Sequence, residues 1–179
     1  MIVSTTVSSP LGPIHLAAED GALIGLWLEG QKYFAATLKE PPLRADDDKT
    51  LLAAKDWLGA YFSGERPPIT ALNLAPHGSE FRREVWKLLC EIPYGELTTY
   101  GALAKTLAGR RGLATMSSQA VGGAVGHNPI SIIIPCHRVV GADGSLTGYA
   151  GGLDKKIALL TLEGLDMTQF YRPLRGTAL

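Results

Sequence analysis

At 179 residues, with 46% apolar and 19% charged residues, the chain falls among soluble globular proteins and is long enough for one large domain or two small ones. Seventeen Lys/Arg balance seventeen Asp/Glu, so net charge alone implies no polyanion partner, although residues 1–77 carry 6 basic against 9 acidic side chains and residues 78–179 carry 11 against 8. No window approaches about 18 uninterrupted apolar residues, the first residues lack the layout of a signal peptide, and two cysteines cannot build a disulfide framework, so the expectation is a cytoplasmic protein without a membrane span.

In chain order, Ile2 to Val7, Ile14 to Ala18 and Leu23 to Leu28 are β-leaning runs separated by turn residues, which predicts a three-stranded antiparallel meander with Asp20-Gly21 as a hairpin turn. Gln31 to Lys39 reads as a short helix, and Pro41 to Asp48 as a polar loop. Thr50 to Phe62 is an amphipathic helix with Gly64 just past its end. The proline-led segment from Glu65 to Gly78 reads as a linker, giving an N-terminal α/β domain over 1–77 and a second domain over 78–179. The fold class is therefore α+β, with a small N-terminal antiparallel sheet and helices followed by a mainly helical C-terminal domain.

Ser79 caps a helix predicted to end near Ile92, within which Cys90 is a small core residue. Pro93-Tyr94-Gly95-Glu96 is a turn, Gly101 to Ala108 is a second helix, and Ser117 opens a third, small-residue helix reaching Gly126. The last two suggest a helix-turn-helix, although a helix lined with Gly and Ala also packs well against another helix. Beyond Ala142–Ser145 and the glycine-rich loop Gly148–Gly152, Leu153 to Glu163 forms a final helix stopped by Gly164. Glu163 in a last helical turn faces the negative end of the macrodipole, at a cost of about 0.3–1 kcal/mol, which a cation partner would offset.

The chemistry centres on Asn128 to Gly141. Ile132, Ile133 and Ile134 read as a buried strand stopped by Pro135, which delivers the Cys136 thiol beside the His137 imidazole. A free thiol of pKa near 8.5 is only about 3% thiolate at pH 7, so a nucleophilic role requires a base. His137 serves as that base only if the backbone turns there, and Glu163 could orient the imidazole. A Cys-His pair taken alone is more often structural than catalytic.

Pro135-Cys136-His137-Arg138-Val139, with Asn128-Pro129 before it and Gly148-Tyr149 and Gly151-Gly152 after it, resembles the active-site signature of the O6-alkylguanine-DNA alkyltransferases. The resemblance runs from about Phe81 to Gly164 and includes Phe81–Trp86, Ile92-Pro93-Tyr94-Gly95, Thr99-Tyr100 and Leu159–Gly164. It implies direct repair of double-stranded DNA carrying O6-alkylguanine, and O4-alkylthymine as a second substrate class, by one irreversible transfer to Cys136 without metal or cofactor. By the same resemblance His137 draws off the thiol proton through a bridging water, Glu163 holds the histidine, and Asn128 ties the helix-turn-helix to the active-site loop. Tyr100 is then the acid for the departing guanine, and Val139, Tyr149 and Ala150 form the pocket of the flipped base.

The resemblance also implies that the third helix enters the minor groove, with Ser118, Ala120, Gly122 and Gly123 close to the DNA. Gln119 stands where family members usually place an intercalating arginine, and Arg110 and Arg111 are candidates for phosphate contacts in its place. A monomer with no membrane partner is expected. The alternative reading is a non-enzymatic sensor that binds the lesion and recruits other factors; Cys136 argues against it.

Overall fold

The computed structural model describes residues 1–146 and 148–171. Ile2–Val7 (β1), Ile14–Glu19 (β2) and Ala22–Leu28 (β3) form the expected meander, registered from Ile2↔Glu19 to Val7↔Ile14 and from Ile14↔Leu28 to Glu19↔Ala22. Asp20 and Gly21 turn between β2 and β3 with φ of 50° and 75°, the two positive values that a tight hairpin turn requires. Leu43–Arg44 (β4) adds a short parallel strand beside β1, inside the segment expected to be a loop. The sheet is therefore mixed, in the order β3-β2-β1-β4, and not purely antiparallel.

Lys49–Phe62 (α1) packs on the sheet with Leu51, Ala54, Trp57, Leu58 and Tyr61 buried, and Asp48 Oδ1 caps it by accepting from Thr50 N and Leu51 N. The segment from Gln31 to Lys39 is not the helix that the sequence suggests. Inside the segment the backbone makes isolated tight turns, Ala36 N to Tyr33 O and Leu38 N to Ala35 O, while its start is tied elsewhere: the Gln31 side-chain Oε1 accepts from Leu28 N at 2.8 Å and Lys32 N donates to Ala150 O at 3.0 Å. Tyr33 and Ala35 take φ of 58° and 54°, which a right-handed helix excludes. Leu38 packs on Ile2, Ala17, Ile24 and Trp27, so both faces of the sheet are covered and all seven residues of β3 are buried.

The outer edge of β3 is used rather than left open, which removes a pairing hazard. Leu23 exchanges backbone hydrogen bonds with Asn73 and Ala75 of the linker, and Leu26 does the same with Pro129 and Ser131. The linker thus includes a one-turn 3-10 helix, Ile69–Ala71, and a strand-like contact. One apolar cluster runs from Ile14 and Tyr61 through Trp86 to Ile134 and Leu159, joining both halves around the Asn128–Gly141 stretch.

Among the described residues four further α-helices follow: Glu80–Leu89 (α2), Tyr100–Arg110 (α3), Ser118–Gly126 (α4) and Leu153–Leu162 (α5). Ser79, Thr99 and Ser117 cap the first three by accepting from Arg82 N, Ala102 N and Ala120 N. Thr98–Thr99 (β5) and Val139–Val140 (β6) pair in parallel and lay the active-site stretch against the start of α3. Among the described residues no helix is long and apolar enough to cross a membrane.

α2 docks on α4 through Trp86, which is 1% exposed and whose indole N–H donates to Ala124 O at 2.8 Å. In Trp86→Phe that carbonyl would keep only the long 3.3 Å bond from His127 N. Urea unfolding of the variant is expected to show a loss of about 1–3 kcal/mol with an unchanged m-value.

Candidate active site

The isoleucine run is buried as expected but is not a strand. Ile134 N reaches back to Ile130 O at 3.1 Å, Ile133 N donates to Ser131 O at 2.8 Å, and Ile132 sits at φ 69°. Three buried apolar residues specify burial and not extension, and here they fill a set of tight turns. A β-branched residue in the left-handed region costs about 1–3 kcal/mol, which the packing of Ile132, 1% exposed, must hold. Pro135 then takes φ −82° and ψ 62° while Cys136 N donates to Ile134 O at 2.8 Å, an inverse γ-turn. Cys136–Arg138 follow as one 3-10 turn. This is the bend that lets adjacent Cys and His side chains serve one site.

Asn128, two residues beyond α4, fastens the turns. Its Nδ2 donates to Ile134 O at 2.9 Å and lies 3.1 Å from Cys136 Sγ and 3.3 Å from Ile130 O, while its Oδ1 accepts from Ile130 N. Cys136 is 6% exposed. Burial pushes its thiol pKa up, and the Asn128 amide and the Lys156 ammonium pull against that shift without reversing it. At rest the thiol therefore keeps its proton and depends on a base.

His137 is wholly buried, with Nε2 2.5 Å from Glu163 Oε2. Glu163 accepts on both oxygens: Tyr61 OH at 2.7 Å and His137 on Oε2, Arg138 Nε at 2.7 Å and Gly95 N at 3.0 Å on Oε1. Burial alone would raise its pKa, but the hydrogen bonds from His137, Arg138 and Gly95 outweigh it and bring it down to about 2. An ionised carboxylate only accepts, so Nε2 carries the imidazole proton and Nδ1 carries the lone pair. Nδ1 is buried without a hydrogen-bond partner among the described residues. Burial, helped by the Arg138 and Lys156 charges, holds the His137 pKa below its usual value despite Glu163, so the ring is a neutral base.

Beside this centre lies a cleft of about 530 Å³ between α4, the Gly148–Gly152 loop and the Gly30–Tyr33 segment. Gln119, Gly122, Tyr149 and Ala150 line it. Tyr100 opens α3, and a Cβ placed on Gly148 would come 3.1 Å from its hydroxyl, so the phenol points at this loop. Gly122 of α4 faces the same ring: a Cβ there would come 3.5 Å from Tyr100 Cδ1, an ordinary contact that does not by itself require glycine. Val139 is buried, and its carbonyl accepts from Lys156 Nζ at 2.5 Å. Ser118, Gln119 and Ala120 are exposed in the first turn of α4.

Arg110 and Arg111 are placed away from this cleft and are not free cations. Arg110 makes a two-pronged pair with Glu91, and Arg111 Nε binds Glu84 at 2.9 Å. Among the described residues no group of three His, Cys, Asp or Glu side chains is arranged to hold a metal ion. Cys90 is half-buried, its thiol pushed up to about 11 by burial, in keeping with a packing role.

Four residues of the site were not singled out from sequence. Tyr61 carries no signal, because in α1 it reads as one more stripe residue. Arg138 stands inside the Cys-His motif and also donates to Ile92 O at 2.6 Å. Gln31 accepts from Ser131 Oγ at 3.2 Å across the two halves. Lys156 had a readable signal: it lies seven residues before Glu163, two helical turns along the same face as Leu159 and Leu160, and is fully buried. Burial lowers its pKa to about 8.

Both Glu163 and His137 have folded pKa values below their unfolded ones, so the folded state binds fewer protons and their contribution is lost as pH falls. For Glu163 the window runs from about 4.3 down to about 2, and the amount at stake is on the order of 3 kcal/mol. Glu163→Gln is expected to be less stable than wild type at pH 7, with the gap closing between pH 5 and 2. Urea titrations at several pH values would read this directly; a gap constant with pH would refute it.

The family described as "6-O-methylguanine DNA methyltransferase, DNA binding domain" matches residues 80–165, and "6-O-methylguanine DNA methyltransferase, ribonuclease-like domain" matches residues 2–76. A methylated-DNA–protein-cysteine methyltransferase of Mycolicibacterium paratuberculosis is 44% identical over 165 residues, covering 91% of this chain and 93% of its own. One from Methanosarcina acetivorans is 45% identical over 157 residues, covering 87% and 94%. Among solved structures, the O6-methylguanine methyltransferase of Mycobacterium tuberculosis superimposes with a TM-score of 0.78 at 41% identity, covering 91% of this chain and 93% of its own. The same organism's protein solved in complex with DNA gives 0.77 at 39%, covering 92% of each. The turn that presents Cys136, the carboxylate-held histidine behind it and the helix pair beside it are thus met in a chain that belongs to the 6-O-methylguanine DNA methyltransferase family.

Proposed function

We propose that this protein repairs double-stranded DNA by moving the alkyl group from O6 of guanine, and from O4 of thymine as a second substrate, onto Cys136 once and irreversibly. The observation that carries the reading is the Cys136 thiol, protonated at rest, set beside a neutral His137 that an ionised Glu163 holds by Nε2. An O6 carbon inside the stack is out of reach, so the nucleotide is extruded at a cost of a few kcal/mol and enters the pocket read from Val139, Tyr149 and Ala150, of which Tyr149 and Ala150 line the cleft and Val139 is fully buried. Residues 1–77 act as the structural domain and residues 78–179 as the alkyltransferase domain. The protein works as a cytoplasmic monomer and needs no metal or cofactor.

His137 Nδ1 takes the thiol proton through a bridging water, and the resulting imidazolium is stabilised by Glu163. The thiolate attacks the alkyl carbon in line with the C–O6 bond; the S–C bond forms as the C–O6 bond breaks, and the electron pair returns to the purine. Tyr100 OH gives a proton to N3 of the leaving guanine and recovers one from the histidine side, so the thiol proton is in balance carried to the base. Asn128 keeps the thiol on the base pocket side of the turn.

α4 enters the minor groove, where Ser118, Ala120, Gly122 and Gly123 permit close approach of the helix backbone, and Gln119 fills the place of the extruded nucleotide. Arg110 and Arg111 reach phosphates only by giving up Glu91 and Glu84. They are therefore a secondary contribution to DNA affinity.

Incubation with a duplex carrying O6-methylguanine, followed by intact-mass measurement, is expected to give one methyl adduct per molecule in wild type and none in Cys136→Ala. Unmodified protein that still binds the duplex would favour a lesion sensor instead. Tyr100→Phe is expected to form the same adduct about 10²-fold or more slowly in single-turnover assays, the usual range for a lost general acid. An unchanged rate would remove Tyr100 from the mechanism.

A further inference from the structure

The cleft beside Cys136 has three walls, and the third is contributed by the N-terminal half. Gly30, Lys32 and Tyr33 line it opposite Gln119 and the glycines of α4. Among the described residues the lining contains no carboxylate, and its one permanent cation is Lys32, which is exposed and makes no ion pair. The nearest acidic neighbour in sequence, Glu29, is turned away onto His15. Lys155 adds a second positive charge at the base of the same tip, donating from Nζ to Glu29 O at 3.1 Å.

The tip is tethered to the working parts. Lys32 N donates to Ala150 O at 3.0 Å, and the Tyr33 ring, still 51% exposed, stacks on His127 at the C-terminal end of α4 with centroids 3.9 Å apart. Tyr33 and Ala35 both hold left-handed φ values that non-glycine residues seldom adopt. Such strain persists where neighbouring structure fixes it, as the tethers do here. A loop that served only to cover the sheet would have no need to reach across to α4.

We propose that the Gly30–Phe34 tip is a DNA contact: Lys32 pairs with a phosphate of the strand whose nucleotide enters the cleft, and Tyr33 braces α4 at His127 so that this cation stays at the cleft rim. The contact supplies the charge that the neutral first turn of α4 lacks. It makes the N-terminal half part of the substrate surface and not only a scaffold. The inference rests on duplex DNA being the substrate.

Lys32→Ala is expected to bind undamaged duplex about three- to ten-fold more weakly near physiological salt, with the slope of log affinity against log salt shallower by about one. Lys32→Arg should restore both. The ratio of transfer rates on O6-methylguanine duplex and on free O6-benzylguanine should fall by a similar factor, because the free base has no phosphate. An unchanged affinity and salt slope would overturn the proposal, as would an equal loss on duplex and free base, which would mark a general distortion of the pocket. Binding to undamaged duplex requires no alkyl transfer, so failure of wild type to form an adduct would count against the repair reading while leaving the Lys32 contact separately testable.

Discussion

One buried carboxylate fixes the rest of the active site. Glu163 takes two hydrogen bonds on each oxygen, from α1, from the Pro93–Gly95 turn and from the Cys136–Arg138 turn, so three separate parts of the chain meet on a single charge. A carboxylate removed from water costs several kcal/mol unless its lone pairs are filled and a cation stands beside it. Arg138 meets the second condition and also relieves the misplaced charge at the C-terminal end of α5. Its further effect is on the histidine. Glu163 favours the protonated ring, but burial outweighs that pull and the Arg138 charge adds to burial, so the ring rests uncharged.

The same constraint explains why the N-terminal half cannot be treated as a passive neighbour. Tyr61 donates to Glu163 from α1, Leu26 pairs with Pro129 and Ser131 at the edge of β3, and Gln31 accepts from Ser131. These contacts hold the strained Ile132 and the γ-turn at Pro135, neither of which is a low-energy state of an isolated peptide. The thiol position is thus set by long-range packing, and the local sequence only permits it.

This divides what the sequence could and could not disclose. The helix starts were legible because Ser79 and Ser117 advertise a local hydrogen bond, and the hairpin was legible because Asp20-Gly21 tolerates two positive φ values. The Ile132–Ile134 run misled, since apolar character reports burial and says nothing about whether the buried backbone is extended or turned. The Gln31–Lys39 segment misled for a related reason: its helical pattern lost to hydrogen bonds with partners more than a hundred residues away, such as Ala150. Cys136, His137 and Glu163 stood out as chemistry-bearing residues. Tyr61 did not, because a tyrosine on an apolar stripe looks the same whether or not its hydroxyl reaches a carboxylate.

The electrostatics of the two surfaces follow opposite rules. Inside, the Glu163 charge is met by His137 and Arg138, and burial keeps the Cys136 thiol protonated. Outside, the excess positive charge of residues 78–179 is partly spent within the protein, on Glu84 and Glu91, and the first turn of α4 is neutral and small. A surface of that kind has little to attract DNA at long range and much to offer at close range, where backbone N–H groups and shape decide the fit. On the proposed repair reading, entry of an extruded base would do two things at once: bring an electrophilic carbon to Cys136 and fill the cleft beside it. Reactivity is thereby tied to occupancy, which is the condition a single-use nucleophile needs if it is not to be consumed by other electrophiles.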